Sequence, residues 1–100
     1  VYTSGSTGSP KGVLVTHRAL PALAATQAAR AALDAASRVL QLASLTFDAA
    51  FSEMAMTWHG GATLVLAPDD ARSGPALSAL MLDQRISHAT LTPTALRTLE

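Results

Sequence analysis

Two kinds of apolar pattern alternate along this chain. Short continuous apolar runs predict buried β-strands, whereas apolar residues that recur every three or four positions predict helices with one buried face. Strands are predicted at residues 1–2, 12–15, 38–44, 62–67 and 86–91. Helices are predicted at residues 17–33, 48–59 and 75–85, and a last helix begins at Pro93. This alternation predicts an α/β fold, in which a mostly parallel sheet is layered with helices and ligands bind at the carboxyl ends of the strands.

Residues typical of helix ends support these boundaries. Thr16 is a candidate N-cap for the first helix. Pro21 is tolerated only in about the first turn of a helix, which places the helix start between Thr16 and Leu20. Asp48 is a candidate N-cap for the second helix, which Gly60 and Gly61 end.

The composition narrows the classes of function. Of 100 residues, 49% are hydrophobic and 14% are charged, with zero net charge, so no basic surplus is available for nucleic acid or for anionic lipid. The chain has no cysteine, which excludes disulfides, a thiolate nucleophile and a cysteine-held metal. Gln27, Arg30 and Asp34 interrupt the longest alanine-rich stretch before it reaches membrane-spanning length. We expect a cytoplasmic protein whose partners include neither nucleic acid nor membrane.

The two ends of the chain bear on domain organisation. The sequence starts without Met inside a predicted strand and stops inside a predicted helix. We therefore expect residues 1–100 to be a fragment of a single domain, incomplete at both ends, that folds marginally and has no turnover by itself.

Residues 2–12 combine glycines, hydroxyl side chains and one lysine. Glycines let backbone N–H groups turn toward a phosphate, hydroxyls donate hydrogen bonds, and Lys11 adds a positive charge. Pro10 stands where a P-loop needs its second glycine, and the glycine spacing does not fit the dinucleotide fingerprint. A flexible Gly/Ser linker is the alternative interpretation. The candidate phosphate-binding residues are Thr3, Ser4, Gly5, Ser6, Thr7, Gly8 and Lys11.

A second group of polar residues follows the predicted strand 38–44. The segment 47–54 reads Phe-Asp-Ala-Ala-Phe-Ser-Glu-Met. Asp48 has a structural interpretation as a helix cap and a functional one as a carboxylate facing a cleft, and the two are compatible.

Both segments resemble signatures of the adenylate-forming, AMP-binding superfamily. Residues 2–13 are similar to [ST]-S-G-[ST]-T-G-x-P-K-G, and residues 47–54 are similar to F-D-x-[SA]-x-x-E-[MI]. With His17-Arg18 downstream, the chain most resembles the adenylation domains of nonribosomal peptide synthetases. The resemblance covers nearly the whole chain and implies part of the large N-terminal domain of such an enzyme.

The resemblance implies a reaction and its cofactors. ATP activates a carboxylate, here an amino acid, to an acyl-adenylate with release of pyrophosphate. The product is then loaded onto the phosphopantetheine of a peptidyl carrier protein domain. Lys11 and Thr3 are the implied catalytic residues, and Thr3 is a candidate to lie near Mg²⁺.

The same resemblance implies substrate-binding residues. Asp48 matches the aspartate that holds the α-ammonium of an amino acid, which needs a counter-charge in a dry pocket. The implied substrate-binding residues are Phe47, Asp48, Ala49, Ser52 and Thr90. Thr92 departs from the Leu-Pro-Pro-[ST] that the family often has. The alternatives are an acyl- or aryl-CoA ligase of the same superfamily and a non-catalytic fragment.

The remaining notable side chains favour structural roles. His17, His59 and His88 match no metal-site spacing, so surface or capping roles are predicted. Trp58 is predicted to pack in the core. Glu53 falls on a motif position, and a solvated or helix-N-terminal carboxylate is an equal alternative.

Overall fold

The computed structural model describes residues 1–4 and 8–99. Four strands are described, β1 at Tyr2–Thr3, β2 at Lys11–Gly12, β3 at Arg38–Gln41 and β4 at Thr63–Leu66. Four helices are described, α1 at Leu20–Arg30, α2 at Asp48–His59, α3 at Gly74–Asp83 and α4 at Pro93–Thr98. Short 3₁₀ turns at His17–Ala19 and Asp69–Ala71 lead into α1 and toward α3.

The two longer strands pair in parallel. Arg38 of β3 lies opposite Thr63 of β4, and the pairing continues to Gln41 opposite Leu66. Helix α2 is the crossover between them, as a parallel pair requires. This arrangement agrees with the α/β fold that the apolar pattern predicts.

The predicted strand at residues 86–91 is too long. The structure has only a single parallel bridge there, between Val39 and His88, in which the N–H of Leu40 donates a 2.9 Å hydrogen bond to the carbonyl of His88. The backbone N–H groups of Ser87 and His88 both donate to the carbonyl of Arg38. Beyond His88 the chain leaves β3 and runs to the start of α4.

Thr92 explains part of the boundary at α4. Its backbone is extended, and its side-chain oxygen accepts a 3.1 Å hydrogen bond from the N–H of Ala95. Thr92 is therefore the N-cap, and Pro93 occupies the first turn where its missing N–H costs nothing. A capping threonine accounts for the residue that departs from the family pattern.

The first two strands form a small antiparallel pair. Tyr2 lies opposite Gly12, and Thr3 lies opposite Lys11. The predicted strand 12–15 therefore ends earlier than expected, and Leu14 is fully exposed. Among the described residues, the segment after Gly12 is joined to the first strand only by the N–H of Val13, which donates a hydrogen bond to the carbonyl of Val1.

The core lies on both faces of β3, because successive strand residues point to opposite sides. Val39 packs with Ala28 of α1 and Met56 of α2 on one face. Leu40 packs with Ala67 and with Leu77 of α3 on the other, a cluster of completely or almost completely buried side chains. The sheet is therefore layered between helices, as predicted.

The helix starts agree only in part with the predicted ones. α1 begins at Leu20, within the range that Pro21 allows. Thr16 makes no side-chain cap hydrogen bond, and the turn after it is 3₁₀. At α2 the extended backbone of Phe47 makes that residue the N-cap, and no side chain caps the helix. The expectation that Asp48 is the N-cap is wrong, because Asp48 is already the first helical residue.

The end of α2 is as predicted, and it packs closely on the segment after α1. A Cβ on Gly60 would lie 2.9 Å from the Cβ of Leu33. Gly61 follows with a φ of +69°, in the left-handed region that favours glycine.

Two further side-chain predictions have different outcomes. Trp58 is 68% exposed, so its predicted core position is wrong for the described chain. It lines an open groove together with Leu20 and Pro21 of α1. His88 has the expected capping role, since its ring nitrogens lie 2.6 Å from the carbonyl of Ala31 at the end of α1 and 2.7 Å from Oγ of Ser87.

Candidate functional site

The connection between β3 and α2 is the centre of the candidate site. It runs from Leu42 to Phe47 at the carboxyl end of the parallel strands, where ligands bind in such sheets. A tight turn shapes its second half, with the N–H of Phe47 donating 2.9 Å to the carbonyl of Ser44. The hydroxyls of Ser44 and Thr46 lie 3.0 Å apart.

Glu53 holds the first half of this connection. Its side chain is 1% exposed, and it accepts hydrogen bonds of 3.0 Å from the N–H groups of Leu42 and Ala43. The amide of Gln41 lies 3.4 Å from the same carboxylate. The expectation of a solvated or helix-N-terminal carboxylate is therefore wrong, because Glu53 points into the protein from the second turn of α2.

Arg72 is a functional candidate that the sequence patterns did not indicate. Its guanidinium donates to the carbonyl of Leu42 and, at 3.2 Å, to the carbonyl of Ala67, and it lies 3.4 Å from Asp69. Arg72 therefore joins the ends of β3 and β4. No local motif marks this residue, since its partners lie 30 and five residues away.

A cavity of about 450 Å³, which we call the substrate-side cavity, opens beside this connection. It brings together four of the five predicted substrate-binding residues. These are Phe47, Asp48, Ala49 and Thr90. Leu42, Ala43 and Arg72 also line it. Ser52 is half-buried on α2 and is not among the lining residues.

Asp48 also faces a second, mainly apolar cavity of about 330 Å³ beside α1, with His17, Leu20 and Phe51 in its wall. Asp48 is exposed, and no hydrogen bond to its carboxylate is formed within the described residues. A carboxylate without a protein partner is available to a ligand cation. The substrate-side cavity is the better candidate for that ligand, because it also contains Ala49 and Thr90.

The predicted phosphate-binding residues are only partly described. Gly5, Ser6 and Thr7 lie outside the described residues. Thr3 and Ser4 line a cavity of about 400 Å³, which we call the loop-side cavity, together with Thr46 and Phe47. Lys11 is exposed on β2, directly opposite Thr3 in the strand pair.

Gly8 has a φ of +84°, and no atom of the described residues lies within 4 Å of the position of a Cβ there. This backbone conformation suits glycine and strains other residues. Phe47 lines both the substrate-side and the loop-side cavity, so the two cavities share a wall.

Magnesium binding by these residues stays a prediction. Within residues 1–4 and 8–99, no three His, Cys, Asp or Glu side chains form a group that could hold a metal ion. Thr3, the residue expected near Mg²⁺, offers a hydroxyl oxygen. None of the helices in the described part of the chain is long and apolar enough to cross a membrane.

The sequence model of the AMP-binding enzyme family matches residues 1–100. The chain belongs to this family. It is 52% identical over 99 residues to CymA of Salinispora arenicola, a probable nonribosomal peptide synthetase of non-standard type, and 48% identical over 99 residues to novobiocin biosynthesis protein H of Streptomyces niveus. These matches cover 99% of the chain in both cases, but 1% of the first relative and 16% of the second.

A solved structure has the same fold. The N-terminal subdomain of NpsA from Klebsiella oxytoca, in complex with 3-hydroxyanthranilyl-AMSN, superposes with a TM-score of 0.72 at 31% sequence identity. The match covers 91% of this chain and 23% of NpsA. The fold described above is therefore that of an adenylation-enzyme N-terminal subdomain, which confirms the predicted fold class.

Proposed function

We propose that this chain is the part of an adenylate-forming ligase that binds ATP phosphates and a carboxylate substrate, and that the substrate is an amino acid. The observation that carries the proposal is the shared wall at Phe47. On one side of it lie Thr3 and Ser4 of the glycine-rich segment, and on the other lie Asp48 and Thr90. A nucleotide and a small acid bound in these two cavities would meet at the turn before α2.

The proposed reaction is carboxylate activation. A carboxylate oxygen of the substrate attacks the α-phosphorus of ATP, the bond from that phosphorus to the bridging oxygen breaks, and pyrophosphate leaves with the bonding electrons. Negative charge grows on the leaving group, so donors and cations must stabilise it. Lys11 and the backbone N–H groups of the glycine-rich segment supply these donors, while Mg²⁺ when bound supplies further positive charge to the phosphates.

Asp48 binds the other end of the substrate. Its carboxylate has no protein partner within the described chain, so it is free to pair with the α-ammonium of an amino acid. Ala49 and Thr90 line the same cavity, which supports their proposed contact with the side chain of the substrate. Loading of the acyl group onto the phosphopantetheine of a peptidyl carrier protein domain then follows, as in nonribosomal peptide synthesis.

Activation of an aryl or acyl acid is the second candidate function. The structural relative NpsA favours this second function, because it was solved in complex with 3-hydroxyanthranilyl-AMSN, a ligand that carries an aryl group. Such an acid needs no counter-charge for an α-ammonium, and Asp48 would then be dispensable.

Pyrophosphate exchange into ATP tests both candidates. The full-length protein is assayed with a panel of amino acids, aryl acids and fatty acids. We expect exchange that depends on one or a few amino acids. Exchange with aryl or fatty acids only would replace the first proposal by the second, and exchange with no acid at all would contradict both and favour a non-catalytic module.

A further inference from the structure

The peptide group between Leu42 and Ala43 is held from both ends by opposite charges. Its carbonyl, on Leu42, accepts a hydrogen bond from the guanidinium of Arg72. Its N–H, on Ala43, donates 3.0 Å to Oε1 of Glu53. The cation binds the negative end of the peptide dipole and the carboxylate binds the positive end, which makes both hydrogen bonds charge-assisted.

The neighbouring groups strengthen this arrangement, which we call the Leu42 clamp and define as Glu53, Arg72 and the peptide groups at Leu42. The other carboxylate oxygen of Glu53 accepts 3.0 Å from the N–H of Leu42. Gln41 is buried and donates from its side-chain amide to the carbonyl of Ala43 at 2.6 Å. The N–H and carbonyl groups of both Leu42 and Ala43 are therefore hydrogen-bonded to side chains.

The two charged anchors come from different elements. Glu53 lies on α2, a little more than one turn after Asp48. Arg72 lies between the end of β4 and α3, where it also binds the carbonyl of Ala67. The clamp therefore fixes the exit of β3 relative to both α2 and the exit of β4.

The position of this segment matters for the substrate-side cavity. Leu42 and Ala43 line that cavity, and Asp48 and Ala49 begin the helix that completes its wall. A strand that has ended no longer has ladder hydrogen bonds to hold its backbone. Without the clamp, the backbone of Leu42 and Ala43, which leads to Asp48, loses the hydrogen bonds from Arg72 and to Glu53 that hold it in place.

We propose that Arg72, acting through Leu42 and together with Glu53, is a positioning residue that sets the affinity for the carboxylate substrate. Arg72 lies in the wall of the cavity, and the proposed role is to orient that wall through the carbonyl of Leu42. The inference rests on the proposed function for the identity of the ligand, but the clamp itself is a property of the fold.

Steady-state kinetics of the full-length protein test this role. We expect Arg72→Ala to raise KM for the activated acid by roughly tenfold or more, since small displacements of a positioned substrate are costly, and to leave KM for ATP nearly unchanged. Arg72→Lys, which keeps a cation and its donors, gives an intermediate KM for the acid. Arg85→Ala removes an exposed arginine just after α3 and is the matched control.

A lowered kcat with both KM values unchanged in Arg72→Ala would show that Arg72 only supports folding, and would overturn the proposal. The combination of Arg72→Ala with Glu53→Gln provides a further check. Because both residues hold one peptide group, their effects on KM for the acid are expected to be non-additive, and additive effects would contradict the clamp.

Hydrogen–deuterium exchange separates the clamp from the proposed function. In Arg72→Ala the amides of Leu42 and Ala43 should exchange faster than in the wild type, whereas Arg85→Ala leaves them unchanged. Unchanged protection in Arg72→Ala overturns the clamp whatever the enzyme activates. Faster amide exchange in a protein that activates no acid supports the clamp while it contradicts the proposed function.

Discussion

The backbone N–H of Tyr2 donates a 2.9 Å hydrogen bond to the carbonyl oxygen of Thr46. This bond joins the strand that leads into the glycine-rich segment to the turn that leads into α2. The two segments are separated by more than 40 residues of sequence, yet one hydrogen bond fixes the distance between them. In the proposed function, a phosphate bound by the first segment and a substrate bound by Asp48 would therefore occupy neighbouring cavities.

Replacement of Asp48 tests the amino-acid substrate. In Asp48→Ala of the full-length protein, we expect amino-acid-dependent pyrophosphate exchange to fall by roughly tenfold or more, because the α-ammonium of the substrate loses the counter-charge of the exposed Asp48. Asp83→Ala, at the exposed end of α3, serves as the control and is expected to behave like the wild type. Equal amino-acid-dependent exchange in Asp48→Ala and the wild type would remove Asp48 from the substrate site.

Gly8 tests the backbone of the glycine-rich segment. A Cβ at Gly8 meets no atom of residues 1–4 or 8–99 within 4 Å, so the cost of Gly8→Ala that these residues reveal comes from the φ of +84°. The left-handed conformation costs about 1–2 kcal/mol for a residue with a Cβ, which corresponds to a roughly 5–30-fold higher KM for ATP if ATP binds this conformation.

Gly61→Ala is a closely matched control for that experiment. Gly61 also has a positive φ of +69° and free space around it, but it lies between α2 and β4. We expect a similar loss of thermal stability and an unchanged KM for ATP. If both variants raise KM for ATP equally, the effect of Gly8→Ala is a general loss of stability and not a loss of phosphate binding.

Lys11 tests the charge in the same segment. We expect Lys11→Ala to lower kcat for exchange by roughly 10²–10³-fold, the usual effect of removing one donor to a developing anion. Arg18→Ala removes an exposed cation from the 3₁₀ turn before α1 and should leave kcat close to the wild-type value. Wild-type kcat in Lys11→Ala would show that this lysine does not face the phosphates.

Glu53 makes a prediction about stability. Glu53→Ala leaves the N–H groups of Leu42 and Ala43 without their acceptor, and we expect a loss of about 2–5 kcal/mol in the free energy of unfolding. Glu53→Gln keeps one acceptor oxygen, so its free energy of unfolding should lie between those of Glu53→Ala and the wild type. Urea unfolding followed by circular dichroism measures both, with Asp83→Ala expected within about 0.5 kcal/mol of the wild type.

Gly60 tests the close packing at the end of α2. A Cβ there would lie 2.9 Å from the Cβ of Leu33, so the backbone must shift in Gly60→Ala, at a cost of about 1–3 kcal/mol. Because the clash is with the Cβ itself, Leu33→Ala should not rescue Gly60→Ala. A double variant as stable as Leu33→Ala alone would contradict this geometry.

The local features of this protein follow from residues that are close in sequence. The apolar periodicity of α2 and the glycines after it determine where that helix runs and ends. The glycine, hydroxyl and lysine content of residues 2–12 indicates phosphate binding before any fold is known. These features depend on backbone preference and on helical periodicity, and both are encoded within a few neighbouring residues.

Other features were decided only by the tertiary structure. Glu53 became buried and Trp58 exposed, although periodicity alone favours the opposite. The short bridge at His88 replaced a full strand because Ser87 and His88 both bind the backbone of Arg38. The pairing of Arg72 with Leu42 is invisible in sequence, since it depends on how the crossover through α2 brings the ends of β3 and β4 together. Contacts between distant segments follow from the path of the whole chain, and no local pattern contains that path.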